Sequence, residues 1–217
     1  MQQVIGIIGA TGDLGQQLVA RIEKHGFEVR TFNRSDPRET LEELTRVSSV
    51  IHICAPVEAA KGLPSTSAII VLHDSVMHTS KQASEQYLNN NAAIVHMLMN
   101  KANTVIVAND APHHTELTEH LSAIGLSPQS MSVREHDYMI ARSQAPLALL
   151  IKALLPYLYE QADEGLLTPS GQLLADTLRS RELIWTNTTI HSILQNPELD
   201  ALLHDLQTIL IQERNTK

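Results

Sequence analysis

The chain has 217 residues, 43% of them hydrophobic, enough to build one large domain or two modest ones around a real core. A formal net charge of −8 excludes the basic excess that displaces counterions from nucleic-acid phosphates. The longest apolar stretch, Ala145 to Leu155, is interrupted by Lys152 and is too short to span a bilayer, so neither a nucleic-acid nor a membrane partner is expected.

The sequence opens on the apolar run Val4-Ile5-Gly6-Ile7-Ile8, which leaves no room for a signal peptide before it. Gly9-Ala10-Thr11-Gly12-Asp13-Leu14-Gly15 follows at once, and Leu14, Leu18 and Ile22 then recur at helical spacing until Gly26. A buried strand, a glycine turn and a helix open a dinucleotide-binding βαβ unit. The spacing is G-x-x-G-x-x-G, with Ala10 where the usual motif has its first glycine. Small residues are needed because the chain turns sharply at Gly9, approaches a pyrophosphate at Gly12 and packs helix on strand at Gly15. Free N–H groups at the helix start then face the phosphates. Residues 9–15 are therefore candidate cofactor-binding residues; the competing reading is a tight βα turn with no ligand.

A second strand is expected over Glu28 to Phe32, ending in Asn33-Arg34-Ser35 before Pro37. An NAD site places Asp or Glu there to accept from both ribose hydroxyls. A carboxylate would repel a 2′-phosphate, whereas an amide, a guanidinium and a hydroxyl hold one. NADP is therefore favoured over NAD, with Asn33, Arg34 and Ser35 as its candidate partners. The plainer alternative is a polar loop with a solvated arginine.

Thr40 to Arg46 has the pattern of a short amphipathic helix, and Val50 to Ala55 that of a strand closed by Pro56. Ala55 and Pro56 stand at its carboxyl end, where open α/β sheets place ligands, and join the cofactor candidates. The single cysteine, Cys54, excludes an internal disulfide, suits a reducing cytoplasm and reads as a small buried hydrophobe. Ala68 to Leu72 and Thr104 to Ala108 repeat the two-faced apolar strand of a covered parallel sheet. The fold class is α/β: a doubly wound parallel sheet over residues 1–132, followed by a smaller all-helical domain over 133–217.

In that second part Ala145 to Leu155 is apolar nearly all round, which predicts a helix buried on every side, within the domain or against a second subunit. Leu173 to Gln195 reads as another long helix or a pair. Asn196-Pro197-Glu198 is a strong helix start, and Leu199, Leu202, Leu203, Leu206 and Leu210 give the helix its apolar stripe. Trp185 is expected in core or interface, and Arg134 and Glu135 in solvent. His113-His114 with His120 lack the Cys or acidic partner of a metal site at ligand spacing, so no metal is expected.

Taken in order, several segments resemble the prephenate/arogenate dehydrogenase family. Glu135-His136-Asp137-Tyr138 through Ser143-Gln144-Ala145-Pro146 is similar to its E-H-D…S-H-x-P segment. Ile69 through Val76 is similar to its strand ending in D-x-x-S-V-K, Ala93-Ile94-Val95-His96-Met97-Leu98 to its G-L-H-P-M segment, and Gln195 to Leu199 to its late helix start. The resemblance implies a Rossmann domain with a helical dimerisation domain, hence a homodimer. It further implies that His96 takes the proton of a ring hydroxyl while hydride leaves the same carbon for the nicotinamide and the ring loses CO2. An imidazole suits that task near neutral pH. Ser75 then matches the serine that orients this histidine, and His191, His136 and Gln144 fall at substrate-binding positions.

The chain departs from the family at marked places: His191 stands where an arginine grips a substrate carboxylate, Gln144 replaces the histidine of S-H-x-P, and Met77 replaces the lysine of S-V-K. Met97 and Asn100 replace the proline and glycine of the H-P-M-F-G turn. The alternatives to a dehydrogenase of this type are an NADP-binding reductase for an unrelated small substrate, or a nucleotide-binding sensor without catalysis.

Overall fold

The structure is a computed structural model that describes residues 3–89, 91–98, 102–184 and 187–215. It divides into two compact units, Met1–Val133 and Arg134–Lys217.

The first unit is built on a seven-stranded sheet of order β2-β1-β3-β4-β5-β6-β7. Its strands are β1 (Val4–Ile8), β2 (Glu28–Phe32), β3 (Val50–Ile53), β4 (Ile69–His73), β5 (Ala92–Met97), β6 (Thr104–Ala108) and β7 (Ser127–Met131). Central strands such as β3 and β6 are buried at every position, because helices cover both faces. Ile5, Ile7, Val50, Val71, Val95 and Val107 pack on one face with Leu18 and Ile22 of α1 (Asp13–Lys24) and Leu117 and Leu121 of α4 (His114–Ala123). On the other face Ile8, Ile51, Ile53 and Leu72 meet Leu41 and Leu44 of α2 (Arg38–Val47), and Ile94 and Ile106 meet Met77, which opens α3 (Met77–Leu88). Each fully buried aliphatic side chain of this kind contributes roughly 1.5–3 kcal/mol.

The doubly wound parallel sheet expected from the sequence is present, with one antiparallel junction. β5 and β6 pair antiparallel, His96 opposite Ile106, and Leu98 N–H donates to the Thr104 carbonyl at 3.0 Å. The connection is too short for the crossover of a dozen or more residues that parallel neighbours need. β6 and β7 are parallel again. β7 carries Pro128 and alternating polar residues, tolerable only because it lies at the sheet edge.

The second unit is helical: α5 (Val133–Ser143), α6 (Ala145–Ala153), α7 (Leu155–Asp163), α8 (Pro169–Ile184), α9 (Asn187–Leu194) and α10 (Leu199–Asn215). The single all-round-buried helix expected over Ala145 to Leu155 is corrected here. The segment breaks at Leu154, because Pro156 has no N–H to donate back and its ring crowds the preceding turn. Only Ala145, Ala148 and Ile151 of α6 are buried, while Leu150 is 41% exposed. Their core partners are Leu155, Leu178, Ile190, Ile193, Leu199 and Leu202. Asn196 starts α10: its Oδ1 accepts from Glu198 N–H at 2.9 Å, its carbonyl from Leu199 N–H, and its Nδ2 donates to the Asp137 carbonyl at 2.8 Å. Beyond Leu202 the apolar stripe turns outward, with Leu203, Leu206, Ile209 and Ile211 exposed. Trp185 lies outside the described residues, as does the side chain of Leu210. No helix among the described residues is long and apolar enough to cross a membrane.

Candidate functional site

The glycine turn sits between the ends of β1, β2 and β3. Gly9 adopts φ 84°, a left-handed conformation that side chains disfavour, and its N–H donates to the Phe32 carbonyl at 2.8 Å. A Cβ there would also meet the Cys54 carbonyl at 2.8 Å and Ala55 at 3.0 Å, so Ala55 and Pro56, which leads into a short 3₁₀ turn (Val57–Ala60), flank the turn. Gly15 is held by packing: a Cβ would collide with the Gly9 carbonyl oxygen and lie 2.8 Å from Ala10 Cα. Gly12 differs. A Cβ there would touch the protein no closer than 3.6 Å, so nothing inside the chain demands glycine. What Gly12 leaves open is the outer side of the turn, where an approaching group needs bare backbone.

Helix α1 begins at Gly12 with no side-chain cap, and Gln16 N–H is already bonded to the Gly12 carbonyl at 2.9 Å. The amides of Asp13, Leu14 and Gly15 precede that first intrahelical bond, which gives the helix start its capacity for an anion. A bare-backbone turn and an uncapped helix start fit the pyrophosphate of a dinucleotide. Thr11 is braced from two sides. Its N–H and hydroxyl both donate to Asn33 Oδ1, at 3.1 and 3.2 Å, and Gln16 Nε2 donates to its carbonyl at 2.7 Å.

Asn33 is itself held by Asp36, whose Oδ2 accepts from Asn33 N–H at 2.6 Å. Neither Asp36 nor Gln16 was singled out from the sequence. The N-x-x-D spacing at the end of β2 is the signal that could have found the first. Arg34 and Ser35 project exposed from this loop.

Ser75 and His96 lie at the ends of neighbouring strands. His73 of β4 pairs with Val95 of β5, and Asp74 N–H continues the ladder to the Val95 carbonyl at 3.2 Å, so Ser75 lies two residues and His96 one residue beyond the same rung. His96 is 8% exposed, whereas Ser75 is half-buried. Asp74 fixes the turn into α3 by accepting from Val76 N–H at 3.3 Å and the Ser80 hydroxyl at 3.3 Å. Met77, at the family's lysine position, is fully buried among Ile94, Ile106 and Ala108. Asn100 lies outside the described residues.

In the helical unit His191 is exposed on α9, and Gln144 is half-buried at the start of α6. His136 is fully buried, its Nδ1 2.8 Å from Asp137 Oδ1 with both side chains inaccessible. That enclosure makes it a scaffold group of α5 in this conformation. Arg179 stands 5.7 Å from the centre of the Tyr159 ring, and exposed Arg134 lies 3.5 Å from Glu198.

Cys54 follows β3 and is partly exposed, yet its thiol is pushed up to about 12 by burial, which removes it as a nucleophile. His113, His114 and His120 do not converge: His113 is exposed at φ 53°, His114 is bonded to Ser130 Oγ at 2.7 Å, and His120 points into the core. Among the described residues no group of three or more His, Cys, Asp or Glu side chains could hold a metal ion.

Comparison with solved structures places this architecture among prephenate and arogenate dehydrogenases. Prephenate dehydrogenase from Aquifex aeolicus, solved with hydroxyphenyl propionate and NAD+, aligns over 99% of this chain and 93% of its own, with TM-score 0.69 and 16% identity. Synechocystis arogenate dehydrogenase aligns over 99% and 93%, with TM-score 0.66 and 13% identity. A Corynebacterium glutamicum protein described provisionally as a prephenate dehydrogenase aligns over 98% and 80%, with TM-score 0.76 and 15% identity. At such identities the likeness is one of fold. No functionally curated protein matches the sequence. The profile of the NAD binding domain of 6-phosphogluconate dehydrogenase matches residues 4–133, and the chain belongs to that family of NAD-binding domains.

Proposed function

We propose that the chain is an NAD(P)-dependent dehydrogenase of the prephenate/arogenate type, acting as a homodimer, with NADP favoured over NAD. The observation that carries the reading is the placement of Ser75 and His96 just past one rung of β4 and β5, in a chain that shares its fold with prephenate dehydrogenases almost end to end. The bound dinucleotide supplies the hydride acceptor. The turn over Gly9, Ala10, Thr11, Gly12, Asp13, Leu14 and Gly15 holds its pyrophosphate, with Ala55 and Pro56 alongside, and Asn33, Arg34 and Ser35 read its ribose. The His96 imidazole accepts the proton of the substrate's ring hydroxyl, and Ser75 orients the ring. Within the helical unit the resemblance assigns substrate-binding roles to His191 and Gln144, while His136, enclosed with Asp137, supports α5.

The test is an assay of purified protein with prephenate and arogenate, each with NAD and NADP, following reduced nicotinamide. The reading expects turnover of one of the two acids, faster with NADP. Tight dinucleotide binding with no turnover of either acid overturns the reaction and leaves a nucleotide-binding protein.

A further inference from the structure

Three histidines that the proposed chemistry does not use meet inside the first unit. His52 is the third residue of β3 and His73 the last of β4. Because His52 pairs with Val71, His73 lies two residues further on and shares its face of the sheet. α4 lays His120 over the same face. His52 Nδ1 is 2.9 Å from His73 Nε2, and His52 Nε2 is 3.0 Å from His120 Nε2. The ring centres are 5.1 and 5.2 Å apart, and the edge of Phe27 closes over His120. His52 is wholly inaccessible, His73 8% and His120 6% exposed.

Two junctions need one proton each, and three neutral imidazoles carry three N–H groups. Two fill the junctions, and the third lies on Nδ1 of His73 or of His120. Neither of those atoms has a partner among the described residues. The neutral chain is thus satisfied at both junctions and leaves two unpaired terminal nitrogens, one an N–H and the other a bare lone pair. A fourth proton would put N–H on both ends and a positive charge between rings about 5 Å apart.

Among the described residues, no charged side chain bonds to these three rings. From α1, Asp13, Glu23, Lys24 and His25 are exposed, and Arg21 is committed to the Gly125 carbonyl and Asn103. From α4, Glu116 and Glu119 are exposed, and His114 is bonded to Ser130. After β4, Asp74 is occupied by Val76 N–H and Ser80, and after β3 stands the neutral Cys54 thiol. β1 contributes only aliphatic residues and glycine.

We propose that His52, His73 and His120 form an acid-sensitive latch, which fastens α4 to the sheet only while all three rings are neutral. Burial holds His73 at about 3 and His120 at about 4, and burial with the two neighbouring rings holds His52 well below its ordinary range. Released histidines bind protons near 6.5, so the open state takes up protons that the closed state refuses. The latch is at full strength above about pH 6.5 and weakens as pH falls toward the closed-state values. Each histidine released raises the opening constant by up to about tenfold per pH unit, hence about 30-fold at pH 5. Releasing all three together gives on the order of 10⁴-fold.

The test is amide hydrogen exchange on the full chain from about pH 7.5 to about pH 5, corrected for intrinsic rates, with imidazole nitrogen NMR on the same samples. The expected result is an α4 opening constant that rises at least about 30-fold while α10 changes little, with the three rings neutral as long as α4 is protected. Unchanged α4 protection, or three rings titrating near 6.5 within a protected fold, overturns the latch. His120→Leu removes one proton from the linkage and should cut the rise by about 30-fold; an equally acid-sensitive variant also overturns it. Should that variant fail to fold, the native protein's exchange and ring titration still decide.

Discussion

One side-chain oxygen joins the phosphate turn to the ribose loop: Asn33 Oδ1 accepts both the N–H and the hydroxyl of Thr11, at 3.1 and 3.2 Å. The turn is preorganised by Asn33, whose exposed neighbours Arg34 and Ser35 are the proposed ribose contacts. Asn33→Ala should loosen Thr11 and weaken NAD and NADP alike, by roughly 2- to 12-fold for each net hydrogen bond of 0.5–1.5 kcal/mol lost. Fluorescence titration with both cofactors checks this. A loss confined to NADP would place Asn33 on the 2′-phosphate instead.

Arg34 should show the opposite pattern. It is exposed beside Asn33, and only NADP presents a 2′-phosphate to it. A charge-assisted hydrogen bond is worth roughly 1.5–3 kcal/mol, so Arg34→Ala should weaken NADP about ten- to a hundredfold and leave NAD almost unchanged. Calorimetric titration separates the cases, and equal losses would make Arg34 a support of the loop.

The glycines of the turn should divide between stability and binding. A methyl at Gly15 collides with backbone of Gly9 and Ala10, which cannot move without opening the turn. Gly15→Ala should therefore cost about 1–3 kcal/mol of folding stability, visible in the denaturation midpoint. A methyl at Gly12 meets nothing closer than 3.6 Å. Gly12→Ala should keep that midpoint and lose dinucleotide affinity, because the methyl occupies the side from which the pyrophosphate approaches. Unchanged affinity would remove Gly12 from the binding surface.

How much of this was legible follows from where the information lies. The apolar runs of β1, β3, β4 and β6 and the glycine turn announce themselves, because covered parallel strands and close backbone approach leave local marks. β7 left none: Ser127-Pro128-Gln129-Ser130-Met131 becomes a strand only because β6 offers it a ladder. The reversal at β6 is written in a connection length, which a search for apolar runs passes over. The Asp36–Asn33–Thr11 chain of hydrogen bonds depends on how two loops meet. The histidine chain was less legible still, since His52 and His73 sit singly inside apolar strand segments and His120 stood out only beside His113 and His114. Only tertiary packing joins positions 52, 73 and 120.

The proposed homodimer draws its support from α10. Leu203 and Leu206 are each 41% exposed and Ile209 and Ile211 each 53%, a run of large aliphatic residues left uncovered among the described residues. A second copy of the helical unit is the expected cover. Sedimentation should give a dimer at micromolar concentration, and Leu206→Glu with Ile209→Glu should give a folded monomer. A stable native monomer would refute the dimer.

The last prediction concerns the reaction. If His96 accepts the hydroxyl proton, His96→Asn should keep the fold and the dinucleotide affinity but cut turnover by roughly 10²–10⁴, the range of a positioned general base. His96 is buried in the paired strand β5 opposite Ile106, and the smaller amide of Asn leaves that strand's backbone pairing in place. His191 should behave differently. It stands exposed on α9, at the position where the family resemblance implies an arginine for a substrate carboxylate. An imidazole is shorter and lacks the two-pronged donor set of a guanidinium, so it grips a carboxylate less well. Prephenate should therefore bind weakly to the native chain, and His191→Arg should lower its KM with little change in kcat, the signature of added uniform binding. If His191→Arg leaves KM unchanged and His96→Asn leaves turnover intact, the proton acceptor and the carboxylate site both lie elsewhere. The NAD-binding fold would stand, and the search for the substrate would move to acids without the prephenate ring.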